Sequence, residues 1–96
     1  MAGGSTKPRP EYYNHCIASA MMLGVVIELD TSIPDTYAGY TYAARRVRVT
    51  LDRAHGYERY PRYYRSRWYR NEGHAAEGAL AVMGYVIRRR QLVRIE

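Results

Sequence analysis

The chain has 96 residues, with fifteen basic and nine acidic side chains and a formal net charge of +6. A domain of this length buries only about 60–65% of its unfolded surface, so we expect a thin core and support from a larger partner. One cysteine, Cys16, cannot form an intramolecular disulfide, and its apolar neighbours favour a buried, unreactive thiol.

Residues 1–10 predict an extended N-terminal tail that lacks the pattern of a secretory signal or a transit peptide. A helix is predicted over about 11–30, because an apolar run extends from Cys16 to Ile27. That run spans only ~18 Å as a helix, against a hydrocarbon thickness of ~30 Å. The pattern therefore favours a helix that is buried in an assembly, or only partly in a bilayer, over a free-standing membrane span.

A second helix is predicted over about 33–55. Ser32 and Asp35 have the spacing of a capping box around Pro34, and apolar residues then recur at three- and four-residue intervals from Tyr40 to Ala54. The VRVTL segment also alternates with a period of two, which a strand would share. With the first helix, this gives a helical hairpin-like region over 11–56.

The third predicted helix covers about 61–72, with Pro61 as its first residue. The fourth covers about 74–92 and includes the apolar run AAEGALAVMGYVI. The expected fold is thus all-α, with three to four helices in an extended, non-globular arrangement. The last of them is a candidate transmembrane helix. It belongs to a third region, 57–96, which consists of a Tyr/Arg-rich amphipathic segment, the C-terminal apolar helix and a basic tail.

The segment from Tyr57 to Arg70, YERYPRYYRSRWYR, is dense in aromatic and guanidinium groups. It precedes a short apolar run and a basic cluster, an order typical of an interfacial aromatic belt, an abbreviated span and snorkelling arginines. A soluble amphipathic helix is the alternative. The candidate lipid or partner interface consists of Tyr57, Tyr60, Arg62, Tyr63, Tyr64, Arg65, Arg67, Trp68, Arg88, Arg89 and Arg90.

Nucleic acid is a second possible partner, because tyrosine and tryptophan stack on bases while arginine neutralises phosphates. No recognition motif accompanies this composition. Catalysis has less support, since His15, His55 and His74 are scattered and no metal-ligand spacing occurs. We expect no catalytic residue, no metal and no cofactor.

The C-terminal half resembles the f-type subunit of the mitochondrial ATP synthase membrane sector. The resemblance lies in Gly56-Tyr57, Arg62-Tyr63-Tyr64 and the run from Ala75 to Arg90. The small i/j-type subunit of that complex is similar as well, through Tyr63-Tyr64 and Met83-Gly84-Tyr85. Only about the last 40 residues take part, and the apolar run from Cys16 to Ile27 has no counterpart.

This resemblance implies a non-catalytic structural accessory subunit of a mitochondrial inner-membrane energy-transducing complex, ATP synthase first and a respiratory complex second. Its partners would be other subunits and phospholipid such as cardiolipin. The alternative hypothesis is an RNA-contacting structural protein of a ribosome or another ribonucleoprotein. A small viral structural protein is a third, weaker hypothesis.

Overall fold

A computed structural model of the chain describes residues 10–56 and 59–95, with the backbone alone at positions 42 and 43. These residues form a mixed α/β fold with two helices and three antiparallel sheets. The elements in chain order are α1 (Pro10–Met22), β1 (Val26–Asp30), β2 (Pro34–Tyr37), β3 (Tyr40–Ala43), β4 (Arg46–Asp52), β5 (Tyr63–Arg65), α2 (Glu72–Val82), β6 (Tyr85–Arg88) and β7 (Gln91–Arg94).

Helix α1 ends early, which divides the apolar run between a helix and a strand. Gly24 adopts φ +94°, a conformation that side chains disfavour, and the Val25 amide donates to the Ala20 carbonyl at 3.0 Å to close the helix. The chain then enters β1, where β-branched residues suit a strand. The single helix predicted over 11–30 is therefore wrong beyond Met22.

Strand β4 is the centre of a three-stranded sheet of order β1-β4-β5. Val47, Val49 and Leu51 are buried against the helices, while the alternate residues point to the other face. The period of two in VRVTL thus prevails over the helical spacing, because it buries three large apolar side chains on one face of the sheet. The helix predicted over 33–55 is wrong, and 11–56 is no helical hairpin.

Between β1 and β4 the chain makes a two-stranded ribbon, β2–β3. Its turn residues Ala38 and Gly39 both have positive φ, as a tight two-residue hairpin turn requires. The Ser32 hydroxyl donates to Asp30 at 2.6 Å instead of capping a helix. Tyr37 and Tyr40 flank the turn, and each is more than three-quarters exposed.

The third predicted helix, over 61–72, is replaced by β5 and an irregular strand extension. Ser66 is buried, and its hydroxyl accepts a hydrogen bond from the Val49 amide at 2.9 Å while donating to the Arg67 carbonyl at 2.7 Å. Tyr69 then pairs with Val47 through two backbone hydrogen bonds of 2.6 and 2.7 Å. The serine side chain therefore replaces a backbone partner and lets the strand continue past a local break.

Helix α2 is shorter than the helix predicted over 74–92. Its first turn is capped by Asn71, whose side-chain oxygen accepts from the Gly73 and His74 amides. The helix ends before Gly84, which adopts φ +87°. The remaining residues form the β6–β7 hairpin, whose base is closed by the Ile95 amide donating to the Gly84 carbonyl at 2.7 Å.

Helix α1 packs on α2, and α2 packs on β4, around one core, so the predicted all-α fold is wrong. The buried apolar side chains come from α1, β4, α2, β6 and the residues that follow each helix. They are Cys16, Ala20, Val25, Val47, Val49, Leu51, Ala75, Ala76, Ala79, Leu80, Met83 and Ile87. Across residues 10–56 and 59–95, no helix is long and apolar enough to cross a membrane. Residues 75–87, the candidate bilayer segment, instead contribute α2 and β6 to this core.

Tyrosine rings lie directly on glycine residues at three places in the C-terminal half. A methyl group at Gly73 would overlap the Tyr13 ring, and one at Gly84 would overlap the Tyr60 ring. At Gly78 the nearest atom is the Tyr69 hydroxyl, at 3.5 Å from the same hypothetical carbon. These glycines let aromatic rings approach the backbone closely, which joins α1 to α2 and residue 60 to the C-terminal hairpin.

We expect Gly73→Ala to lower the free energy of unfolding by about 1–3 kcal/mol, because the added methyl overpacks the Tyr13 ring. Gly78→Ala is the matched control within the same helix. Its methyl meets the Tyr69 hydroxyl at ordinary contact distance, so the better helix propensity of alanine should stabilise the protein by roughly 0.5–1 kcal/mol. Urea titrations followed by circular dichroism measure both. Equal effects of the two variants would contradict this account of Gly73.

Candidate functional site

The face of the sheet that points away from the helices carries a ladder of opposite charges. Glu28 accepts hydrogen bonds from Arg48 Nη2 at 2.7 Å and from the Thr50 hydroxyl at 2.8 Å, and Arg65 lies 3.7 Å away. Asp30 pairs with Arg46 across the same two strands. We call Glu28, Asp30, Arg46, Arg48 and Arg65 the charge ladder.

The ladder shifts the titration of its own carboxylates. Hydrogen bonds from Arg48, and then from Thr50, lower the pKa of Glu28. The Arg46 hydrogen bond, helped by Ser32, lowers the pKa of Asp30 well below its usual range. Both carboxylates are thus held in the charged form, and their arginines are engaged within the protein.

Trp68 lies on the ladder. The guanidinium carbons of Arg46 and Arg48 are 4.4 and 4.3 Å from its ring centroid, distances at which cation–π attraction is effective. The indole is therefore in contact with two arginines of the charge ladder.

Most of the carboxylates are neutralised internally. Of the seven that the structure describes, six contact an arginine or, for Glu77, a tyrosine, and the remaining one is Glu11. Seven arginines of the same described ranges lie within salt-bridge distance of none of these seven carboxylates: Arg53, Arg59, Arg67, Arg88, Arg89, Arg90 and Arg94. Within those ranges, the positive charge that no carboxylate neutralises therefore resides in this second group.

Four of these arginines belong to one hairpin. Arg88 ends β6, Arg89 and Arg90 form the turn, and Arg94 ends β7. We call these four residues the arginine turn. All of them are exposed, and none of them forms a salt bridge with a carboxylate that the structure describes.

The backbone of the arginine turn is strained. Arg89 and Arg90 have φ values of +51° and +62°, a region that favours glycine and asparagine. A two-residue hairpin turn of this kind is normally built from Asn-Gly. Such strain concentrates at functional sites, where the side chain matters more than local stability.

A cleft of about 270 Å³ lies between the arginine turn and the start of α1. Its walls are Glu11, Tyr12, His15, Ile87, Arg89 and Arg90. The neighbouring cavity, of about 420 Å³, shares Tyr12 and Ile87 with this cleft. Both depressions therefore border the same hairpin.

We call the larger depression the tyrosine cavity, because Tyr12, Tyr69 and Tyr85 line it. The Tyr12 hydroxyl donates to Glu77 Oε2, and burial together with this bond raises the pKa of Tyr12. Glu77 Oε1 lies 4.0 Å from His74 Nδ1, beyond hydrogen-bond distance. One carboxylate oxygen is thus without a hydrogen bond from the described part of the chain.

Two arginines accompany the walls of this cavity. The Arg67 guanidinium carbon lies 4.4 Å from the Tyr69 ring centroid, and that of Arg94 lies 5.8 Å from the Tyr85 ring centroid. Cys16 also lines the cavity, and burial raises the pKa of its thiol. The predicted buried thiol is confirmed.

The structure separates the residues of the predicted interface. Tyr57 lies outside the described residues. Tyr60 packs on Gly84, Tyr64 packs against the core, and Arg62 donates to the Arg53 carbonyl at 3.0 Å. Arg65 and Trp68 join the charge ladder, whereas Tyr63 is exposed and Arg67 rests on Tyr69.

Only Arg88, Arg89 and Arg90 remain together as predicted, with Arg94 as a fourth member that the sequence reading left in the basic tail. The sequence did not predict that Tyr12, Tyr69 and Tyr85 line one cavity, because they come from three distant segments. Glu77 bonds to Tyr12.

Comparison of the chain with protein-family models, curated proteins and solved structures finds no match. The class that the chain shows by itself is a mixed α/β domain with a basic hairpin beside an aromatic cavity.

The charge ladder predicts a loss of stability in acid. Because folding lowers the pKa of Glu28 and Asp30, their contribution is complete above the ordinary carboxyl values of 4.5 and 3.8 and disappears as pH falls through the lower folded-state values. Thermal unfolding between about pH 7 and pH 3 should show Tm falling with pH. Glu28→Gln/Asp30→Asn should lower Tm at neutral pH and flatten this dependence, whereas Asp52→Asn, at an exposed pair, should leave it unchanged. An unaltered pH profile in the double variant would contradict the assignment.

The arginine turn predicts that its own removal stabilises the fold. Arg89→Asn/Arg90→Gly replaces two strained residues with the preferred turn pair, so the free energy of unfolding should rise by about 1–2 kcal/mol. For a domain of this size, each kcal/mol raises Tm by roughly 4–8 °C. Ala38→Asn, which relieves one such position in the β2–β3 turn, is the control for turn chemistry alone. A lower Tm in the double variant would show that the arginines support the fold.

Proposed function

We propose that the chain is a non-catalytic nucleic-acid-binding protein that contacts phosphates through the arginine turn. The observation that carries this proposal is the presence of two arginines at strained, exposed positions where asparagine and glycine would be more stable. A side chain kept at the expense of local stability is there for what it contacts outside the fold. Guanidinium groups bind phosphate oxygens bidentately, which makes a polyphosphate backbone the natural partner.

The division of charge supports the same function. The ladder arginines are paired with carboxylates and with Trp68, whereas the arginine turn has no such partners in the described ranges. Binding would depend mainly on phosphate contacts and would therefore be strongly salt-dependent. This develops the second hypothesis of the sequence analysis, an RNA-contacting structural protein.

The mitochondrial accessory-subunit hypothesis remains an untested proposal and now ranks second. It was built on a C-terminal transmembrane helix, and the residues from Ala75 to Arg90 instead form a short helix and a strand. Its other element, arginines that meet anionic headgroups, applies equally to the arginine turn. Vesicles that contain cardiolipin therefore belong in the binding experiment.

We expect a 20-nucleotide uridine RNA to bind with an affinity that falls steeply with salt. Each phosphate contact on a single strand contributes about −0.7 to the slope of log K against log salt, so four arginines predict a slope near −3. Arg89→Asn/Arg90→Gly should reduce the slope by about 1.4 and weaken binding at low salt. Fluorescence anisotropy of labelled RNA measures both quantities.

The matched control is Arg45→Gln/Arg70→Gln, which removes two exposed charges that are paired with Glu72 and Asp35. Its slope should stay close to the original. Glu11→Gln removes the carboxylate in the cleft and should tighten binding. Equal losses in both double variants would indicate a non-specific effect of net charge, and tighter binding to cardiolipin vesicles than to RNA would favour the membrane hypothesis.

A further inference from the structure

We infer that the tyrosine cavity is a binding site for a single unstacked guanine base of the bound strand. The inference rests on the proposed function, because the arginine turn would hold the phosphates on either side of that base. It goes beyond phosphate binding because it assigns a base preference to a defined site.

The shape and surface of the cavity suit a planar aromatic ring. Its volume of about 420 Å³ lies within the range of small-molecule sites, and its walls are tyrosine rings and aliphatic side chains. Single-stranded RNA is commonly recognised by splaying out a base and stacking it on aromatic side chains. Tyr12, Tyr69 and Tyr85 come from α1, the segment before α2, and β6, so the walls are fixed by the core on three sides.

The polar group inside the cavity selects among bases. Glu77 Oε2 accepts the Tyr12 hydroxyl and retains a second lone pair, and Oε1 has no hydrogen bond from the described residues. Both oxygens of the Glu77 carboxylate can therefore accept a further hydrogen bond, so the group can bind two adjacent N–H donors. Guanine presents such a pair on its Watson–Crick edge, N1–H and the N2 amino group, whereas uracil presents one donor between two carbonyl acceptors that the carboxylate would repel.

The surrounding charges suit the rest of the nucleotide. Arg67 and Arg94 rest on two of the tyrosines that line the cavity, and the cleft with Arg89 and Arg90 shares the walls Tyr12 and Ile87 with it. A base in the cavity would therefore leave its phosphates next to guanidinium groups. The cavity and the arginine turn together match an aromatic ring, two N–H donors and an anionic backbone.

The test compares a ten-nucleotide uridine RNA with the same RNA that carries one central guanosine. Guanosine should raise the affinity of the unaltered protein about tenfold, the scale of one good bidentate contact to a base. Glu77→Gln places an amide N–H₂ against the guanine donors, so it should abolish the preference without weakening the binding of the all-uridine RNA. Arg89→Asn/Arg90→Gly should weaken both RNAs by the same factor and keep their ratio.

A second variant tests the same site if Glu77→Gln fails to fold. Ala81 is an exposed residue of α2 that lines the cavity, and Ala81→Phe should fill the cavity, leave Tm close to the original and remove the guanosine preference. Guanosine monophosphate and uridine monophosphate, followed by the NMR signals of His74, provide a measurement that does not depend on the strand.

The outcomes separate this inference from the proposed function. Tight binding of both RNAs with equal affinity overturns the guanine site and leaves nucleic-acid binding intact. Failure of both RNAs to bind overturns the proposed function, and the guanine site falls with it unless guanosine monophosphate binds saturably. Saturable binding of that mononucleotide, lost in Glu77→Gln and absent for uridine monophosphate, supports the site in either case.

Discussion

Close approach of tyrosine rings to small residues is the constraint on which this fold depends. The chain has no phenylalanine, and most of the helix residues that face the core are small, with Leu80 the one large side chain among the buried residues of the described helices. A ring such as that of Tyr13 can therefore lie directly on the α2 backbone at Gly73. Each such contact buries an aromatic face while its hydroxyl stays near the surface, where it meets water or a polar group. Partly buried tyrosine rings in this way enlarge the apolar contact area of a thin core.

The same contacts position the tyrosine cavity and the arginine turn. Tyr69 rests near Gly78 and forms one wall of the tyrosine cavity, and Tyr60 holds Gly84 at the base of the hairpin that carries the arginine turn. The Tyr60 hydroxyl also donates to the Ile95 carbonyl at 3.3 Å. The basic hairpin is thus anchored at its base by an aromatic ring and by β-pairing, while its turn extends into solvent. Rigid support beneath an exposed cationic tip reduces the entropy that binding would otherwise lose.

The sequence predicted the local features that depend on neighbouring residues and missed those that depend on distant ones. A helix after Pro10, a helical start near residue 74 and a buried Cys16 follow from composition over a few residues. The helix predicted over 33–55 failed because Val47 and Leu51 fit both periods, and only the presence of a pairing strand on each side of β4 decides between them. The helices predicted over about 11–30 and 74–92 run through Gly24 and Gly84, although each of these glycines follows the end of a helix at positive φ.

The candidate site divides in the same way. Arg88, Arg89 and Arg90 could be identified as a cluster because they are consecutive, but their exposure on a strained turn could not. The cavity could not be predicted at all, because Tyr12 and Glu77 are separated by 65 positions and meet only through the packing of α1 on α2. A tyrosine-rich sequence offers many equivalent rings, and nothing in their spacing says which of them will share a wall.

Trp68 gives the molecule an intrinsic optical reporter. It is the single tryptophan of the chain, and two guanidinium groups sit on its ring. Because indole emission responds to nearby charge and to exclusion of water, the tryptophan fluorescence of the native protein reports on the surroundings of Trp68 at the charge ladder. Binding at the hairpin can be followed through the anisotropy of labelled RNA, and changes at the sheet through Trp68 emission, without labelling the protein.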